Sequence, residues 1–122
     1  MATRSEKCNE VLRGIRRAAP EVIGATIVNR DGFIVTSVLP NEVDEELIGG
    51  MAASMLGVGE RISVDLMGAE MEQTYVRTQR GTIVLHAIAD EAAVVLLVAG
   101  EAKLGMVFLE LRRAAAELRK HL

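Results

Sequence analysis

Apolar residues recur at helical spacing near the start of the chain. Cys8, Val11, Leu12, Ile15 and Ala18 form one stripe, with Arg4, Lys7, Arg13, Arg16 and Arg17 mostly off it. That pattern predicts a helix from Ser5 to Ala18. Thr3 with Glu6 reads as its capping box, and Pro20 marks its exit. Residues Val22 to Asn29 then run almost without a polar break, as in a strand buried on both faces. Arg30-Asp31-Gly32 makes a tight turn, and Phe33 to Val38 returns as a second strand. A long helix is predicted from Val43 to Leu66, capped by Asn41 or Asp44 and stopped by Gly68. The most polar strand follows, Glu70 to Gln79, and turns at Arg80-Gly81. Thr82 to Ile88 and Ala92 to Ala99 are two more strands, joined by Ala89-Asp90-Glu91. Having no polar residue, the last strand belongs in the middle of the sheet. A closing helix covers Glu101 to His121.

The element order is helix, strand, strand, helix, strand, strand, strand, helix. Short connections between strands imply a mostly antiparallel sheet. Two strands that are apolar on both sides require helices on both faces. The expected fold is an α/β/α sandwich around five strands. With 122 residues, half of them hydrophobic, residues 1–122 make a single domain.

The middle helix is unusual. Its Gly49–Gly59 segment, GGMAASMLGVG, contains seven small residues, four of them glycine. Each glycine inside a helix costs roughly 1 kcal/mol relative to alanine, about 4 kcal/mol for the four. Close approach of another backbone would offset that cost. Leu47, Met51, Met55, Val58, Ile62 and Leu66 form one apolar line on this helix. Ile48, Ala52, Leu56 and Gly59 form a second line beside it. A helix apolar over so wide an arc is buried on more than one side, and only one side can face its own sheet. The expectation is a two-fold homodimer built on this helix. The polar third strand reads as an exposed sheet edge, open to pairing with its copy. The residues assigned to that interface are Gly49, Gly50, Ala53, Ser54, Gly57, Glu72, Thr74 and Val76.

Composition removes several function classes. The net charge is −3, without the bulk basic footprint of a nucleic-acid binder. Phe33, Tyr75 and Phe108 are the only aromatic residues, too few for base-stacking platforms. No apolar run approaches the roughly 18–20 residues of a membrane span, and the N-terminus lacks the apolar core of a secretory signal. A cytoplasmic location is expected. The charge is uneven: residues 1–20 carry five positive and two negative charges, 21–72 two and ten, and 73–122 seven and five. Basic ends and an acidic middle could present opposite signs to different partners.

No catalytic constellation emerges. The glycines of LGVGE lie inside a helix and lack a following Gly-Lys-Ser/Thr, so they are not a phosphate loop. Ser54 lacks the strand-turn-helix context of a nucleophile. Cys8 lies on an apolar stripe and reads as a structural thiol. His86 and His121 have no second ligand at metal-binding spacing. No catalytic residue, cofactor or metal is assigned. Glu45, Glu46, Tyr75, Arg77 and Arg80 are the candidate residues for contact with a partner protein.

The segments GATIVNRDGFIVTS, DEELIGGMAASMLGVGERI, EQTYVRTQRGTIVLHAI and AAVVLLVAGEAKLG, with the closing FLELRRAAAELRK, together resemble the roadblock (dynein light-chain) family. The resemblance is to its short archaeal and bacterial branch, that of the gliding-motility regulators. It implies a profilin-like five-stranded antiparallel sheet with one helix on one face and two on the other. It also implies homodimers or heterodimers in which middle helices pack together and third strands join. Members bind small Ras-like GTPases as scaffolds or as GTPase-activating regulators and are not themselves known as hydrolases. The expected function is therefore a non-enzymatic homodimeric module that regulates or scaffolds a small Ras-like GTPase. The rival expectations are a structural adaptor or heterodimer subunit, and a ligand sensor of the PAS or GAF kind.

Overall fold

A computed structural model describes residues 2–89, 92–100 and 102–122. The elements in chain order are α1 (Arg4–Ala18), β1 (Val22–Asn29), β2 (Ile34–Val38), α2 (Glu45–Met67), β3 (Gln73–Arg77), β4 (Gly81–Ala89), β5 (Ala92–Ala99) and α3 (Leu104–Arg119). The five strands form one antiparallel sheet in the order β2-β1-β5-β4-β3. Strand β5, apolar throughout, is the central strand.

Local chemistry sets the helix ends. Thr3 Oγ1 accepts from the Glu6 amide at 3.1 Å, and the Thr3 amide donates to Glu6 Oε1 at 3.4 Å. At α2 the cap is Asp44, whose carboxylate accepts from the Glu46 and Leu47 amides at 3.0 and 3.3 Å. Asn41 lies outside the helix. Gly68 ends α2 in the left-handed region, at φ 66°, where a Cβ would be strained.

Helices α1 and α3 share one face of the sheet. Cys8, Leu12 and Ile15 of α1 meet Val107, Leu111 and Leu118 of α3 over Val22, Val84, Leu96 and Val98. On the other face α2 is alone. It presses Ile48, Ala52 and Leu56 onto Val28, Leu85, Ala93 and Val95. Fully burying each aliphatic side chain contributes roughly 1.5–3 kcal/mol. The second of the two apolar lines on α2 is therefore the inward one.

Predicted boundaries move at β2, β3 and α3, and α2 begins at Glu45 rather than Val43. Phe33 is not in β2 but in the turn, exposed, and its amide donates to Asn29 Oδ1 at 3.0 Å. Strand β3 is five residues long, not ten: Met71 before it packs against Gly59 of α2, and after it the Thr78 amide and hydroxyl close a turn on the Gly81 carbonyl. Helix α3 begins at Leu104. The expected helix start at Glu101 and the Asp90-Glu91 connection lie outside the described residues.

Candidate functional site

Helix α2 and the neighbouring edge strand β3 make the candidate interaction surface. The β1–β2 turn fixes how α2 sits. Gly32 holds φ 90°, and its amide donates to the Asn29 carbonyl at 3.1 Å. A Cβ on Gly49 would collide with the Gly32 carbonyl oxygen. Gly49 is buried by this contact within its own chain. Its assignment to an interface between chains is corrected here: its small size serves the docking of α2 on the turn.

Gly50 and Gly57 differ from it. Nothing lies within 4 Å of where a Cβ would sit on either. Ser54 is exposed beside them, its hydroxyl donating to the Gly50 carbonyl at 3.1 Å, and Ala53 is half-buried. Leu47, Met51, Val58 and Ile62 line the outer face, each more than half exposed. Exposed apolar clusters of this kind mark interaction sites. The sequence pattern contains this row as its first apolar line. What it could not show is that the row faces outward.

On β3, Thr74 and Val76 pair with Leu85 and Ile83 and lie on the α2 side of the sheet. Thr74 is half-buried, Val76 exposed, and Glu72 exposed just before the strand. Tyr75 and Arg77 pair with Val84 and Thr82, on the α1–α3 side. The Tyr75 ring lies 5.9 Å from that of Phe108 on α3, a tilted aromatic contact. Arg80 sits in the next turn, where the Thr78 hydroxyl accepts from the Arg80 and Gly81 amides, both at 3.1 Å.

Glu45 and Glu46 are far from these residues. Glu45 Oε1 accepts from the Ser37 hydroxyl at 2.6 Å, beside the β2 edge. The five candidate partner residues thus lie in separate places. Two lie at the β2 end of α2, two on the opposite face at the β3 edge, and one in a turn. The cause is topological: α2 crosses the sheet from one edge to the other.

The buried titratable groups are structural. Cys8 is fully buried, and burial pushes its thiol up, with Arg4 opposing. His86 lies beneath α3, with Nδ1 3.2 Å from Gln73 Oε1. Burial, aided by Arg119, holds it below the usual histidine value, while Glu72 opposes. Beside it runs a groove of about 1140 Å³, bordered by Glu60, Glu72, His86, Arg112 and Arg119. Its lining mixes acids and bases and selects no single ligand charge. No group of three metal-ligating side chains occurs among the described residues. None of their helices is long and apolar enough to cross a membrane.

Residues 9–98 match the Roadblock/LC7 domain model. The chain belongs to the Roadblock/LC7 family. Two similar proteins come from Methanocaldococcus jannaschii. The protein MJ0714 is 34% identical over 98 residues, covering 80% of this chain and 82% of its own. MJ1340 is 32% identical over 96 residues, with 79% and 83% covered. Among solved structures, MglB in a tetrameric arrangement aligns with a TM-score of 0.89 at 22% identity, over 99% of this chain and 91% of that one. Myxococcus xanthus MglB aligns at 0.86 and 18% identity, over 93% of each. Acanthamoeba castellanii profilin IA aligns at 0.66 and 16% identity, over 97% and 98%. At such identities these likenesses show the fold: a Roadblock domain, related in shape to profilin.

Proposed function

We propose that this Roadblock protein is a non-enzymatic, self-associating module that regulates or scaffolds a small Ras-like GTPase in the cytoplasm. The observation carrying the reading is the outer face of α2. Of the four helix glycines, Gly49 and Gly59 have neighbours inside the chain that a Cβ would strike, whereas Gly50 and Gly57 have none. Those two leave roughly 2 kcal/mol of helix propensity unrecovered in a lone chain. A second copy packed against Gly50, Ser54 and Gly57, flanked by Met51 and Val58, would use that space. Ala53, Glu72, Thr74 and Val76 would line the same contact, and Glu45, Glu46, Tyr75, Arg77 and Arg80 remain candidates for meeting the GTPase. The GTPase part of the reading is supported by family membership and by the MglB-like fold.

Two measurements test it. Light scattering after size exclusion should give a dimer mass for the wild type and a monomer mass for Val58→Asp, with unchanged circular dichroism. Immobilised protein should then retain a purified Ras-like GTPase of the source organism in only one state, GDP-loaded or loaded with a non-hydrolysable GTP analogue. Equal retention in both states, or none, would favour the structural-adaptor reading.

A further inference from the structure

An open cavity of about 520 Å³ lies where β3 turns into β4 and β5 runs out toward α3. The turn makes one wall and is firmly tied. The Thr78 amide donates to the Gly81 carbonyl at 2.8 Å, and the Thr78 hydroxyl donates to it at 2.7 Å. Gly100, after β5, lies close against this turn: a Cβ on it would stand 3.2 Å from the Arg80 carbonyl oxygen. Leu104, the first residue of α3, closes the other side and packs on the α1–α3 core. Arg77 is the only charged residue among the described ones that line the cavity. It is exposed, and among the described residues it has no hydrogen-bond or ion-pair partner. Thr82 faces Arg77 across the strand pair and is only 6% exposed. Its hydroxyl also lacks a partner among the described residues, yet no buried side-chain oxygen or nitrogen there is left unsatisfied. The hydroxyl is therefore the part of Thr82 that remains open, and it opens into this cavity.

We propose that this cavity binds the phosphoryl group of a small molecule. Three sets of donors converge on it. The Thr82 hydroxyl stands on the floor, and the Arg77 guanidinium offers the planar fork that suits phosphate oxygens. The third set is the start of α3. Side chains of Thr3 and Asp44 cap α1 and α2, but the N-cap of α3 is Lys103, which makes no side-chain capping bond, and the first turn holds no acid. Among the described residues no acceptor meets the Leu104 or Gly105 amide. Those amides carry the positive end of the helix dipole. In the sequence, Arg80 and Lys103 flank the walls against Glu101, so positive charge prevails. Donors arriving from a strand, an arginine and a helix end match the several oxygens of a tetrahedral dianion better than the two coplanar oxygens of a carboxylate. The space exceeds what one anion fills and leaves room for the body of a phosphate ester. The site lies on the α1–α3 side of the sheet, and its occupancy does not depend on the self-association read from α2.

The test is an NMR titration of the nitrogen-15-labelled full chain with inorganic phosphate, glycerol 3-phosphate and acetate, at ionic strength held constant with sodium chloride. The amide signals of Thr82, Leu104 and Gly105 should move and saturate with both phosphates, and hardly move with acetate. Tighter binding of glycerol 3-phosphate than of inorganic phosphate identifies an ester as the ligand, and the reverse identifies free phosphate. Thr82→Val, which keeps the side-chain shape, and Arg77→Gln, at an exposed position, should each weaken binding roughly ten-fold or more, because each removes a donor to a charged group. Arg113→Gln, an exposed arginine farther along α3, should leave binding unchanged. Three results overturn the proposal: no saturable movement of these signals with either phosphate, equal movement with acetate, or wild-type affinity in both Thr82→Val and Arg77→Gln.

Discussion

Gly49 and Gly50 are neighbours on one helix, and substitution by alanine should move stability in opposite directions. In both cases the helix gains roughly 0.8–1.0 kcal/mol, because alanine loses less backbone entropy than glycine. At Gly50 the new methyl meets nothing within 4 Å, so the gain should appear almost in full in the monomer. At Gly49 the methyl would strike the Gly32 carbonyl oxygen. That oxygen cannot retreat easily. The turn is held by the Gly32 amide on the Asn29 carbonyl at 3.1 Å, the Asn29 amide on the Phe33 carbonyl at 2.9 Å, and Asn29 Oδ1 accepting from Asp31 and Phe33 at 3.0 Å each. The helix must lift instead, opening the packing of Ile48, Ala52 and Leu56. Overpacking of this kind costs about 1–3 kcal/mol, and lost contact beneath three side chains adds to it. The expected net effects are about 1–3 kcal/mol of destabilisation for Gly49→Ala and about 1 kcal/mol of stabilisation for Gly50→Ala. At this chain length 1 kcal/mol corresponds to roughly 3–6 °C in melting temperature. Urea denaturation followed by circular dichroism, at protein concentrations low enough for the monomer, would measure both. A Gly49→Ala variant as stable as Gly50→Ala would refute the close approach of α2 to the turn.

Other outcomes follow from single residues. The folded chain binds a proton at His86 less readily than the unfolded chain, whose histidine titrates near 6.5. Stability should therefore be complete above that pH and decline as pH falls below it, levelling once the folded form also protonates. Urea midpoints between pH 7.5 and 5 should drop less in His86→Gln than in the wild type. Cys8 should react with a thiol reagent only as fast as the protein opens, so the labelling rate should rise with urea in step with unfolding. Asp44→Ala should cost about 0.5–2 kcal/mol in urea denaturation, since two amides of α2 lose their acceptor.

Periodicity made most of the sheet legible. The apolar run of β5 announced a central strand, and the Arg30-Asp31-Gly32 turn announced the first hairpin. Gly68 announced the end of α2. What could not be read was orientation. Both lines on α2 are apolar, and which one turns inward is set by contacts between distant positions, such as Gly32 with Gly49, seventeen positions apart, and Ile48, Ala52 and Leu56 on the sheet. Residue type alone cannot reveal such a contact. For the same reason Gly49 looked like Gly50. The candidate partner residues are separated by geometry of another kind: alternation along β3 turns Tyr75 and Arg77 to the α1–α3 side, and the order of strands carries Glu45 to the far edge. Strand β3 was drawn too long because its flanks are polar on both sides. Nothing in Glu70–Gln79 signals that Met71 leaves the strand line to fill the space beside Gly59.

The placement of β5 between β1 and β4 has a consequence for how the chain is made. The first hairpin and α2 leave the ribosome well before their central support exists. Roughly fifty residues separate the end of β2 from the start of β5, which at 5–20 residues per second is about 3–10 s of synthesis. Through that interval β1 has β2 but lacks its second neighbour, β5, and once α2 is made both its apolar lines lack the strands and partner they would cover. The nascent chain therefore exposes its stickiest surfaces before it can close. A holding chaperone, or a finished copy of the protein already waiting nearby, has its longest opportunity to act at that stage.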